Sequence, residues 1–151
     1  MENKRAFTLI ELLVVIAVMA GLMALLVPNF MQVRVKSRDM RRKSDLAAIQ
    51  KALELYKLNQ SPPSYPTSAA VVACTSLSDA NGVYMATIPQ DPLSQCVAPV
   101  SYYYSRNAVD STKYTLCACL ENPNDTDQKA PVTCAGATAC SGGKYYKLNE
   151  P

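Results

Sequence analysis

The sequence predicts an α+β fold: a long N-terminal helix packed on a small antiparallel sheet, in a head braced by disulfides. Three observations predict it. An apolar block, Phe7–Val27, runs on into an amphipathic stretch ending near Leu58. Two alternating runs, Ser101–Arg106 and Lys113–Leu120, flank a short polar link. All six cysteines, Cys74, Cys96, Cys117, Cys119, Cys134 and Cys140, fall in the C-terminal half.

Taken in order, Met1–Ala6 is a short charged run of the kind that begins an export signal. The apolar block behind it holds one strongly polar residue, Glu11. A helix of about 20 such residues, rising ~1.5 Å each, crosses a ~30 Å hydrocarbon core, so the block predicts a transmembrane segment. An ordinary secretory signal is the plain alternative and would be cut after Ala20, ahead of Gly21. Pro28 lacks an amide donor and crowds the preceding turn, which predicts a kink or loosening there, with Gly21 a second weak point. From Asn29 to about Leu58 the pattern turns amphipathic, and Leu46, Ile49, Leu53 and Tyr56 recur at three- and four-residue steps. That stripe needs something to pack on.

Between the two stretches stand Arg34, Lys36, Arg38, Arg41, Arg42 and Lys43 with Asp39 and Asp45. They read as a solvated or headgroup-facing surface, or else as partners for acidic groups on neighbouring chains. Counting positive charge would put the C-terminal half in the cytoplasm, since only Lys4 and Arg5 precede the apolar block. The cysteines point the other way. Disulfides persist outside reducing compartments, and a small head with little core gains most from them, so the head belongs outside the cytoplasm.

Ser61–Pro66, with three prolines, ends the helix and opens the head. A loop-rich stretch to about Val100 is punctuated by Asn81-Gly82, Pro89 and Pro92. The two alternating runs then form a hairpin; in the second, Tyr114, Leu116, Ala118 and Leu120 alternate with Thr115, Cys117 and Cys119, giving one face for the helix stripe. Gly142-Gly143 turns into a last strand, Lys144–Leu148, for a sheet of three or four strands. An even cysteine count in a small polar head favours a disulfide framework. A zinc site is disfavoured by the absence of histidine and of any Cys-x-x-Cys pair. Cys117 and Cys119, two apart on a strand, face the same way and take different partners.

Catalysis is poorly served: there is no histidine to act as base near neutrality and no recognisable nucleophile motif. A net charge of +3 is no nucleic-acid signature by itself. Ser141–Lys144 fails the spacing of a phosphate loop and reads as a turn. Tyr102, Tyr103 and Tyr104 with Arg106 offer a stacking surface for single-stranded DNA, against the plainer reading of core and cross-strand contacts. The informative anomaly is Glu11, because an acidic group at a membrane-helix centre costs about 2.5–3.5 kcal/mol and asks for a partner. A cut between Ala6 and Phe7 would create a cationic amine one turn away and leave Glu11 in the first turn, where the helix dipole favours negative charge.

Ala6-Phe7-Thr-Leu-Ile-Glu11-Leu-Leu-Val-Val followed by Pro28 resembles the cleavage and methylation motif of type IV prepilins and type II secretion pseudopilins. The likeness continues in Asp45–Tyr56, Tyr65-Pro66-Thr67, Ile88-Pro-Gln-Asp-Pro92 and Tyr114-Thr-Leu116, similar to the G-type pseudopilins and related small pilins. It implies a pilin-like fold divided into a leader (1–6), a transmembrane or filament-core half-helix (7–28), an amphipathic half-helix (29–60) and a β-rich head (61–151). It further implies cleavage before Phe7 by a prepilin peptidase, methylation of the Phe7 amine, docking guided by Glu11, and helix melting between Gly21 and Pro28 on assembly. Ala6 stands where the family usually has glycine, and six cysteines are not typical of the secretion pseudopilins.

The implied partners are copies of the chain itself, the peptidase, an inner-membrane assembly platform, lipid before assembly, and nucleic acid only in a DNA-uptake pilus. The implied location is the inner membrane, single-pass with the head outside the cytoplasm, then a periplasmic or extracellular filament. No cofactor is expected, save that G-type pseudopilins bind calcium in a head loop. Here Asn122, Asn124, Asp125 and Asp127, beside Glu121, are the candidate ligands, in a loop without the glycine of an EF-hand. A short secretion pseudopilus, or a monomeric surface-binding module on an uncut anchor, are the alternatives.

Overall fold

One helix, α1, runs from Leu9 to Leu58. The computed structural model describes residues 7–93, 102–127, 134 and 144–149, and of residues 25–29 the helical backbone only. Helical backbone continues through Gly21 and Pro28, where the sequence predicts a weak point. A proline removes one amide donor, and a helix this long carries many other bonds. The chain divides into two units, residues 1–35 and 36–151.

In the first unit the apolar side chains are exposed around the whole helix: Leu9 is 82% exposed, Ile16 57% and Met23 62%. In the second unit the predicted stripe is buried. Leu46, Ile49 and Leu53 form a core with Tyr65, Leu77, Ile88, Tyr102, Tyr114, Leu116 and Ala118. Each fully buried leucine or isoleucine contributes about 1.5–3 kcal/mol of transfer free energy. Tyr56 lies at the margin of this core, edge-on to Tyr84 at 5.2 Å.

Strands β3 (Tyr102–Arg106), β4 (Tyr114–Cys119) and β5 (Tyr145–Asn149) make an antiparallel sheet in that order. The register Tyr104↔Leu116↔Leu148 sets alternate residues on the helix face, which buries Tyr114, Leu116 and Ala118. Cys117, on the opposite face, is bonded to Cys134. Cys74 and Cys119 are disulfide-bonded as well, so Cys117 and Cys119 take different partners and the described thiols are not zinc ligands. Cys96 and Cys140 lie outside the described residues.

A second, two-stranded sheet was not anticipated. Leu77–Asp79 (β1) pairs with Gly82–Met85 (β2) inside the stretch read as loop. Gly82 at φ +148° makes the turn possible, and Asp79 braces it by accepting from the Asn81 amide (2.7 Å), the Tyr84 hydroxyl (2.9 Å) and Gln60 (2.5 Å). Asn81-Gly82 between short apolar runs was the available signal.

Candidate functional site

Two places on α1 gather its polar chemistry. The first is its start. Thr8 precedes the helix, and its amide and hydroxyl both donate to Glu11 Oε2 at 2.8 Å, while the Glu11 amide donates to Thr8 Oγ1 at 3.3 Å. Threonine followed three residues later by glutamate is a reciprocal cap, which satisfies amides that a helix start leaves unpaired. Glu11 therefore has a partner at its own helix start, Thr8, which the Thr-x-x-Glu spacing could have shown. Phe7 stands beside the cap, 86% exposed. A Cβ placed on Gly21 meets no atom within 4 Å, so nothing among the described residues requires a glycine there. Ala6 and the Pro28 side chain lie outside the described residues.

The second place corrects part of the reading of the charged middle as a solvated surface or a set of intermolecular partners: Arg34, Lys36 and Arg41 are exposed, but Arg38, Asp39, Arg42 and Lys43 are paired within the chain. Asp39 and Arg42 are buried, their side chains 2% and 4% exposed. Arg42 grips Asp91 with two bonds, Nε to Oδ2 at 2.5 Å and Nη2 to Oδ1 at 3.1 Å, and donates from Nη1 to Asp39 at 2.7 Å. The same Nη1 lies 2.6 Å from Glu121, which Arg38 also holds at 2.9 and 2.5 Å. Asp39 further accepts the Glu121 and Asn122 amides at 3.0 and 2.8 Å, and Asp91 accepts the Leu93 amide at 2.8 Å. Burial disfavours the Arg42 charge, but its carboxylate partners outweigh that and raise its pKa above the ordinary value. Bonds from Arg38, helped by Arg42 against burial, hold Glu121 below the usual carboxylate range. The signal lay in Asp39 and Arg42 one turn apart; what the spacing could not supply was Asp91 and Glu121, far along the chain.

Beside this cluster, Lys43 donates to Asp125 and Asp127. These are two of the four candidate calcium ligands. Of the others, Asn122 accepts the Asn124 amide at 3.1 Å through its side-chain oxygen. Among the described residues no group of three or more His, Cys, Asp or Glu side chains is arranged to hold a metal. The tyrosine run serves the fold. Tyr102 donates to Asp45 at 2.8 Å and Tyr104 to the Pro66 carbonyl at 2.8 Å, with burial pushing both phenols above their ordinary pKa. Arg106 donates to the Tyr65 carbonyl at 3.1 Å. Tyr102, Tyr104 and Arg106 are therefore committed to contacts within the head, and Tyr103 is half-buried on the same strand.

Among the described residues, no helix is long and apolar enough to cross a membrane. Described side chains of the apolar block end at Ala24, short of the ~20 residues a span needs.

A capped, all-round apolar helix on one unit and a stapled helix-and-sheet head on the other define the class of pilin-like α+β subunits. The family described as the prokaryotic N-terminal methylation motif matches residues 1–27. The chain is 38% identical over 101 residues to the type II secretion system core protein G of Klebsiella pneumoniae, covering 61% of this chain and 71% of that one. With the same protein of Aeromonas hydrophila the identity is 34% over 103 residues, again 61% and 71%. With the type IV wide pilus major component of Thermus thermophilus it is 36% over 77 residues, 51% and 57%. No solved structure matches significantly. The chain belongs to the pilin and pseudopilin family that contains the core protein G subunits.

Proposed function

We propose that the chain is a structural subunit, not an enzyme, of a type IV pilus-like filament, cut before Phe7 and polymerised through its N-terminal helix. The observation that carries this is the first unit. A helix exposing leucine, isoleucine, valine and methionine on every side must be covered by lipid or by other helices, because each such side chain left in water forgoes about 1.5–3 kcal/mol. Lipid covers it before assembly and sister helices cover it afterwards. Gly21, free of any steric demand among the described residues, lets neighbouring helices approach closely. Glu11 caps its own helix in the precursor; after the cut it faces the new Phe7 amine of an adjacent subunit.

A second reading, a short secretion pseudopilus, is favoured by the likeness to the core protein G subunits. Imaging of sheared surface filaments separates it from a pilus. The test of both is Glu11→Ala with N-terminal sequencing of the assembled protein. Methylated Phe7 on wild-type filaments and at least a tenfold loss of assembly in the variant are expected. Wild-type assembly by the variant, with the leader still attached, rules the proposal out.

A further inference from the structure

The Lys43 ammonium sits in a setting usually built for a free cation. Three carboxylate oxygens converge on it: Asp125 Oδ1 at 2.7 Å, Asp125 Oδ2 at 2.8 Å and Asp127 Oδ2 at 2.7 Å. The ring of Tyr146 lies 5.5 Å from it on another side. Lysine and Asp125 are mostly buried, 20% and 15% exposed, whereas Asp127 reaches solvent at 63%. The segment bearing the carboxylates is folded around them: the Asp127 amide donates to Asp125 Oδ1 at 3.0 Å, and Lys144 donates to the Pro123 carbonyl.

We propose that residues 121–127 form a cation seat whose resident ion is the chain's own Lys43 ammonium, so that the segment is fastened to α1 without an exchangeable metal. An ammonium has three donors and occupies three of the four carboxylate oxygens, halving the charge of the two aspartates and blocking the oxygens a second cation would need. A divalent ion would have to displace a tethered competitor whose effective concentration is set by the fold. The seat's carboxylates then serve the purpose a calcium loop serves elsewhere, closing a polar segment that has no apolar core of its own. This inference concerns the head alone and stands whether or not the chain polymerises.

The test is thermal unfolding of the full chain in detergent micelles, with millimolar calcium or with chelator. Wild type is expected to unfold at the same midpoint in both. Lys43→Ala is expected to unfold roughly 2–6 °C lower in chelator and to recover part of the loss when calcium or methylammonium is added, whereas Lys43→Arg stays near wild type. A wild-type midpoint that rises with calcium overturns the proposal, as does Lys43→Ala unfolding in chelator like wild type. A Lys43→Ala loss that neither cation relieves also overturns it and reduces Lys43 to an ordinary ion pair. Should that variant not fold, calorimetric titration of wild type with calcium decides alone: no binding heat supports the seat, and saturable binding sinks it.

Discussion

The two halves of α1 obey opposite rules although one backbone carries both. Before Val35 no described side chain of the helix is buried; Val14, Ile16 and Val18 are 54%, 57% and 56% exposed. After Lys36 the same backbone buries one stripe, Leu46, Ile49 and Leu53, and sets Arg38, Arg42 and Lys43 on Asp91, Glu121, Asp125 and Asp127. The contrast teaches that periodicity reports the solvent a helix is made for. A stripe means a partner within the chain, whereas an unbroken apolar surface means a partner outside it.

The strongest challenge to that contrast is Arg42→Ala. Removing a buried cation strands Asp39 and Asp91 without a counter-charge, for an expected loss of about 3–5 kcal/mol, read by denaturant unfolding of the head. Arg34→Ala, at an exposed position on the other side of the divide, leaves the midpoint unchanged. Equal losses from the two arginines would erase the distinction.

Next comes Leu53→Ala, at a site with no exposure, where lost transfer energy and the cavity together cost about 2–4 kcal/mol. Val14→Ala is expected to leave head unfolding untouched and to show itself only in assembly. If Val14→Ala lowered head stability as Leu53→Ala does, the first half would be part of the head's own fold.

What the sequence made legible follows the same divide. The leucine stripe and the Tyr114–Leu120 alternation are local periodicities, and both landed in the core because a period of 3.6 or 2 fixes a face before any tertiary contact is known. Cys117 and Cys119 were separable for the same reason. In the charged middle Arg34, Lys36 and Arg41 are exposed as read, whereas Arg38, Arg42 and Lys43 are not legible because local sequence gives their sign but not the carboxylates, about 50 to 80 positions later, that fold back onto them. The β1–β2 hairpin was missed since its strands are too short to show alternation, leaving only Asn81-Gly82 as a cue. At the first site, Glu11 stands out by its cost in an apolar setting, whereas its cap on Thr8 is carried by the Thr-x-x-Glu spacing and not by charge.

The smallest expected effect is the acid sensitivity of the head. Glu121 is held below its ordinary pKa first by its Arg38 bonds. For Asp125 burial works the other way, but the Lys43 and Asp127-amide bonds prevail and lower it too. A carboxylate whose folded pKa is depressed contributes stability that is fully present above its unfolded pKa, about 4, and is lost as pH falls through the lower folded value. Head stability should therefore be flat from neutrality to about pH 5 and decline below about 4, each partly exposed pair contributing on the order of 1 kcal/mol or less. Glu121→Gln removes one titrating carboxylate and should flatten that decline while lowering the neutral plateau slightly. Among the described residues of the first half there is no such ion pair, so acid unfolding should be blind to substitutions between Leu12 and Val33. An acid profile that followed those positions instead would mean that the charges on α1 do not divide as its side chains do.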